Sequence, residues 1–262
     1  MKIYIFTDYG NMVVLNQLKN IVTNKGHHYE VVSSVAHLNI DKDIILATNV
    51  ACQYPIFKRY YSYNVYDMLD NKISFYDFLH KHIDWCLECN IFLIPSYNKS
   101  YNGPNITKNF MLKASKGFSG KFNQIKHGNV YNLIKQYSNT HQIQEVMNVK
   151  HIYGVSICCK FGKILSSYTY LTQGAITTTS FHAARTTEIK FAAVKRFLKK
   201  MVDYLQLHGI IEVEFLIDHS NKIHVMECNP RISGSVRVPI YINSIIDTYI
   251  KTFHNKQVTE IN

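Results

Sequence analysis

Several common catalytic signatures are missing from this sequence. It has no G-x-x-x-x-G-K-S/T run, which excludes a P-loop phosphate cradle, and no H-E-x-x-H, which excludes that helix-borne zinc site. No apolar stretch approaches the roughly 20 residues that a membrane-spanning helix requires. The opening Ile3-Tyr4-Ile5-Phe6 runs at once into Thr7, Asp8 and Gly10, too short for the core of a signal peptide. Proline (5) and glycine (11) are scarce among 262 residues and only 18% of residues are charged, so the composition of a disordered chain is absent. Acidic residues are also few, 18 against 29 lysines and arginines, leaving a formal charge of +11. Such a field suits anionic partners of any kind. The basic residues are spread without a periodic pattern and no aromatic-basic motif accompanies them, so nucleic acid is not an expected partner. Cysteine is sparse and scattered. Cys86-Leu-Glu-Cys89 has no second Cys or His pair at zinc spacing, and Cys158-Cys159, adjacent on an expected strand, point to opposite faces. Reduced thiols in a cytoplasmic protein are the expectation.

What is present is a folded, 47% apolar chain long enough for one large domain or two to three closely joined lobes. Met1–Thr7, Tyr29–Ser33 and Asp43–Thr48 read as strands and Val13–Thr23 as a helix, a small parallel α/β unit. Ser74–Cys89 carries a 3.6-residue apolar stripe behind a Ser cap and reads as one helix. Ile91–Ile94, Asn109–Ala114, Phe122–Lys126 and Gln142–Met147 read as extended, with Val130–Tyr137 helical between the last two. Val155–Cys159 and Lys163–Tyr170 form an expected hairpin across Phe161-Gly162. Phe191–Leu207 is the longest predicted helix, with Val194, Phe197, Leu198, Met201, Val202 and Leu205 on one face. Ile211–Ile217 and Ile223–Met226 follow as paired strands. Boundaries are placed near Lys72 and Asn148, giving lobes 1–72, 73–148 and 149–262.

The most informative stretch is Gly209-Ile-Ile-Glu-Val-Glu-Phe-Leu-Ile-Asp followed by Ile223-His-Val-Met-Glu-Cys-Asn-Pro-Arg. On an antiparallel pair, Glu214 and Glu227 face the same side, and strand alternation adds Asn229. Carboxylates flanked by apolar residues are costly unless a cation is near. Magnesium suits three hard oxygens and shares its shell with phosphate.

Glu214-Phe215 with Glu227-Cys228-Asn229-Pro230-Arg231, extended by Ile232-Ser233-Gly234-Ser235, resembles the acidic motif of the ATP-grasp superfamily, in the manner of its carboxylate-amine ligase and carbamoyl-phosphate-synthase-like members. The resemblance reaches upstream. Asp70-Asn71-Lys72 is similar to the entry of the family's middle lobe, Phe110-Met-Leu-Lys113-Ala to its nucleotide-contacting strand, and 115–121 to its flap over the phosphates, here with two glycines. Ile143–Met147 resembles the hinge strand that receives adenine, while His151, Tyr153 and Gly154 stand where family members often carry a ribose-binding acid.

The resemblance implies an ATP-grasp fold, α/β and α+β, with a shortened N-terminal α/β lobe. It implies ATP and Mg2+, or Mn2+ in its place, as cofactors. Glu214, Glu227 and Asn229 would hold the metal, and Lys72, Lys113, Ser119, Gly120, Glu145 and Met147 the nucleotide. Arg231 and Arg185 would act on the reacting groups. The implied reaction joins a small-molecule carboxylate to an amine through an acyl phosphate. A noncatalytic ATP-binding or nucleic-acid-associated protein and a kinase of the same fold are the alternatives, and a homodimer is compatible with all of them.

Overall fold

The computed structural model describes residues 2–6, 12–34, 38, 44–47, 63–116, 123–173, 180–181, 188–232 and 245–252. In chain order the elements are β1 (Lys2–Phe6), α1 (Met12–Asn24), β2 (His28–Val32), β3 (Ile44–Ala47), α2 (Tyr63–Asp70), α3 (Lys72–Lys81), α4 (Ile83–Glu88), β4 (Ile91–Leu93), β5 (Ser96–Tyr97), β6 (Thr107–Ala114), β7 (Gln124–Asn129), α5 (Val130–Tyr137), β8 (His141–Glu145), β9 (Val149–Lys160), β10 (Lys163–Gln173), β11 (Ser180–Phe181), α6 (Glu188–Tyr204), β12 (Gly209–Asp218) and β13 (Ile223–Asn229). They make three sheets, in the orders β2-β1-β3, β11-β10-β9-β12-β13-β4 and β5-β8-β6-β7. Among the described residues no helix is long and apolar enough to cross a membrane.

The first sheet is parallel, as its α/β pattern predicts. Ile3, Ile5, Ile44 and Leu46 form a buried cluster with Leu15, Leu18 and Val22 of α1. Helical residues 245–252 return to this cluster through Ile245, Ile246, Tyr249 and Ile250, and the Tyr249 hydroxyl donates to the Ile45 carbonyl at 3.0 Å. Local pattern gives no sign of that return.

The main core lies on one face of the six-stranded sheet. Ile211, Val213, Phe215 and Ile217 of β12 pack there with Phe197, Leu198, Met201 and Val202 of α6, the face that periodicity predicted. Phe75, Phe78, Leu79, Cys86 and Ile91 belong to the same core, and β4 pairs in parallel with β13. The four-stranded sheet spans 96–145.

The helix read as Ser74–Cys89 is two. Asn71 caps α3, its side-chain oxygen accepting from the Ile73 and Ser74 N–H groups, so the helix starts before Ser74. At His82 the backbone leaves helical geometry (φ −118°, ψ 35°), and the ring stacks on Trp85 at 4.0 Å. The β9–β10 hairpin turns at Phe161 (φ 43°) and Gly162 (φ 78°), two positive φ values that suit the right-handed twist of the strands. Cys158 and Cys159 lie in different clusters on opposite faces of β9, as alternation requires.

Candidate active site

The acidic strands present a row of oxygens on the face of β12 and β13 away from the main core. Glu214 lies directly opposite Glu227 and Glu212 opposite Asn229. The register shifts between Glu214 and Phe215, where Met226 is the extra residue, because Phe215 pairs with Val225. Such a bulge re-aims side chains beside a site. Across β9, Glu214 faces Gly154, and Gly154 in turn faces Tyr170 of β10.

The four-stranded sheet closes over this row. Phe110, Leu112 and Ile143 pack against α5 on its outer face. Alternation puts Met111, Lys113, Gln142 and Gln144 on the inner face, with Lys113 opposite Gln142 and Met111 opposite Gln144. The Lys113 ammonium reaches across to within 3.8 Å of Glu227 Oε2, and Lys72 at the start of α3 comes to 3.9 Å of the same oxygen. The Lys72 N–H donates to the Ser115 carbonyl at 2.8 Å, which ties the helix start to the end of β6. Arg231 donates from Nη2 to Asn229 Oδ1 at 3.0 Å.

The structure therefore brings together Lys72, Lys113, Glu214, Glu227, Asn229 and Arg231. Met147 lies on the connection from β8 to β9 and packs partly buried against the main core. Glu145 is elsewhere: it pairs with Phe110, on the outer face, and its carboxylate takes the Tyr97 hydroxyl and the Lys108 ammonium. Burial opposes its ionisation, but those two hydrogen bonds hold its pKa below the ordinary value. Ser119, Gly120 and Arg185 lie outside the described residues.

Three inner-face groups escaped the sequence reading. Glu212, 2% exposed, accepts from the Ser156 hydroxyl at 2.9 Å and continues the acidic row. Its signal was the Glu-x-Glu alternation itself. Gln142 and Gln144 are the others, 5% and 1% exposed.

Charge is unevenly matched in this cleft. Burial drives the Glu214 pKa well up, and the neighbouring Glu227 and Glu212 carboxylates push it further than Lys113 and Lys72 restore. Burial works on Glu227 in the same direction, but Lys72, Lys113 and Arg231 outweigh it and leave its pKa lowered. Burial also lowers the Lys113 pKa, with Lys72 adding to the effect and Glu227 opposing it. The Lys113 ammonium has no hydrogen-bond partner among the described residues. Hence the two lysines do not offset the pull toward a neutral Glu214, while among the described residues the buried Lys113 ammonium lacks a hydrogen-bond acceptor. A divalent ion beside Glu214 and an anion beside Lys113 would satisfy both. Among the described residues no three His, Cys, Asp or Glu side chains are gathered as a metal site. The donor set here is two carboxylates and an amide oxygen, all hard ligands that suit Mg2+ or Mn2+. Asn229 Oδ1 keeps a lone pair beyond the bond from Arg231.

No protein-family model and no curated protein sequence matches the chain. Solved structures do. N5-carboxyaminoimidazole synthetase from Staphylococcus aureus superposes with a TM-score of 0.62 at 15% identity, over 96% of this chain and 76% of that one. D-alanyl-alanine synthetase A from Vibrio cholerae gives 0.64 at 12% identity, over 99% of both chains. D-alanine-D-alanine ligase from Helicobacter pylori gives 0.61 at 13% identity, over 98% and 97%. The likeness covers nearly all of this chain, and at 12 to 15% identity it shows the architecture: the chain has the ATP-grasp fold.

Proposed function

We propose that the chain is an ATP-dependent ligase that joins a carboxylate to an amine. The observation that carries this reading is the convergence of the buried Lys113, the half-buried Lys72 and two facing glutamates between two sheets. The similar S. aureus synthetase has been solved with ADP, which supports a nucleotide in that cleft. Lys113 and Lys72 would meet phosphate oxygens, with the end of β8 and Met147 at the base. Glu214, Glu227 and Asn229 would hold Mg2+, which when bound neutralises phosphate oxygens.

The substrate carboxylate oxygen attacks the terminal phosphorus and the bond to ADP breaks. The amine nitrogen then attacks the acyl carbon, phosphate leaves, and the nitrogen loses its proton. Lys113 and Arg231 supply positive charge where negative charge develops. The experiment is ADP release against a panel of carboxylates and amines, with products read by mass spectrometry. ADP and an amide formed in equal amounts are expected. Tight ATP binding without turnover would leave only a binding protein, and a stable phosphorylated product without condensation would make it a kinase.

The carboxylate pair also sets a pH dependence. Glu227, its pKa lowered on folding, contributes stability above the ordinary carboxylate range that is lost as pH falls through its folded value. Glu214, its pKa raised, acts oppositely: the ligand-free protein loses stability as pH climbs from the ordinary carboxylate range through the raised value. Mg2+ with a nonhydrolysable ATP analogue should cancel the second loss, because bound metal favours the ionised carboxylate. At a hundredfold excess over Kd the gain is about 2.7 kcal/mol, roughly 5 to 10 °C in melting temperature. Melting curves from pH 5 to 9, with and without both ligands, test this. A ligand-induced gain that does not grow with pH would refute the assignment of Glu214.

A further inference from the structure

The inner face of the four-stranded sheet carries more unpaired polarity than Lys113. Both the nitrogen and the oxygen of the Gln142 amide, and the nitrogen of Gln144, are buried without a hydrogen-bond partner among the described residues. Gln144 lies near the Tyr76 hydroxyl, which itself donates to the Val225 carbonyl at 2.7 Å, so Gln144 is held in the junction between sheets. Gln142 has no such tether and stands opposite Lys113, on the face that looks across to Glu227. A buried amide with neither group paired costs free energy on both sides. A core needs neither group, and leucine would fill the same space without that cost.

The missing partner must offer a donor and an acceptor together. Phosphate oxygens alone fail, because they only accept and would leave Oε1 facing like charge. The Hoogsteen edge of adenine does match, its N6 amino group donating to Oε1 and its N7 accepting from Nε2, the pairing by which glutamine reads adenine elsewhere. Guanine offers O6 and N7 there, two acceptors, and sets O6 against Oε1. We infer that Gln142 reads the purine and makes the cleft selective for adenine over guanine nucleotides. This rests on the nucleotide site proposed above and adds to it the residue that chooses the base.

The test uses the whole chain with Mg2+ and nonhydrolysable analogues of ATP, GTP and 7-deaza-ATP, whose base lacks the N7 acceptor, with affinities measured calorimetrically. The parent should bind the ATP analogue at least tenfold more tightly than either of the others. Gln142→Leu should weaken the ATP analogue about tenfold, weaken 7-deaza-ATP less, since only the N6 bond to Oε1 is lost there, and narrow the preference over GTP. The same variant should melt no lower than the parent, since it removes an unpaired buried amide. A loss shared equally by all three nucleotides, or unchanged ATP affinity in Gln142→Leu, overturns the inference while leaving the nucleotide site standing. A parent that binds none of the three overturns the proposed function itself.

Discussion

Replacing Glu227 by Gln is expected to cut turnover by about a thousandfold while leaving the protein able to bind nucleotide. Among the described residues both lysines approach Glu227, at 3.8 and 3.9 Å, and it lies directly across from Glu214. Gln keeps the shape and removes the charge. The buried Lys113 ammonium and the half-buried Lys72 ammonium are then left without that counterion, and breaking such a pair costs on the order of 3 kcal/mol. Phosphate oxygens relieve that cost when nucleotide arrives, so metal-free ATP should bind Glu227→Gln at least as well as it binds the parent. The Mg2+ dependence of binding should collapse, because one of two ligating carboxylates is gone. Calorimetry with and without Mg2+, beside ADP release, separates the two effects. A variant that keeps both its turnover and its Mg2+ dependence would remove Glu227 from the site.

That constellation was legible because strand alternation is a strict rule. Glu214, Glu227 and Asn229 sit among apolar neighbours at spacings of two, and a half-buried strand leaves them no other shared face. The bulge at Met226 was not legible, since inserting one residue changes no local pattern. Nor was the place of Ile91–Leu93. Three apolar residues announce a strand, but pairing with β13, some 130 residues on, is decided by packing. Gln142 and Gln144 were missed for a related reason. Polar residues alternating with Ile143 read as the wet face of a strand, and only the second sheet, folding over them, makes that face dry. Glu145 shows the converse. The family resemblance assigned it to the nucleotide, whereas the register turns it to the outer face, where Tyr97 and Lys108 engage it.

Gly154→Ala is expected to destabilise the protein by about 3 kcal/mol, at the upper end of what overpacking a core costs. A methyl group built at Gly154 would stand 2.0 Å from Cζ of Tyr170 and 2.1 Å from its hydroxyl oxygen. No contact of that length survives, so the Tyr170 ring or the strand must move. The ring is fully buried, and close-packed interiors leave little room for such a swing. Gly154 is flanked on its other side by Glu214, so a displaced ring or strand also disturbs the acidic row, and nucleotide affinity should fall with stability. Gly103→Ala is the control. Its methyl would also meet a tyrosine, Tyr101, at 2.6 Å from the hydroxyl and 2.7 Å from Cζ, but that ring is only half-buried with its hydroxyl near the surface and can shift outward, so the cost should stay well below that at Gly154. Urea denaturation of the two variants beside the parent decides the matter. If Gly154→Ala unfolds at the parent's midpoint, Tyr170 does not occupy the space beside Glu214, and the floor of the cleft is not built as described.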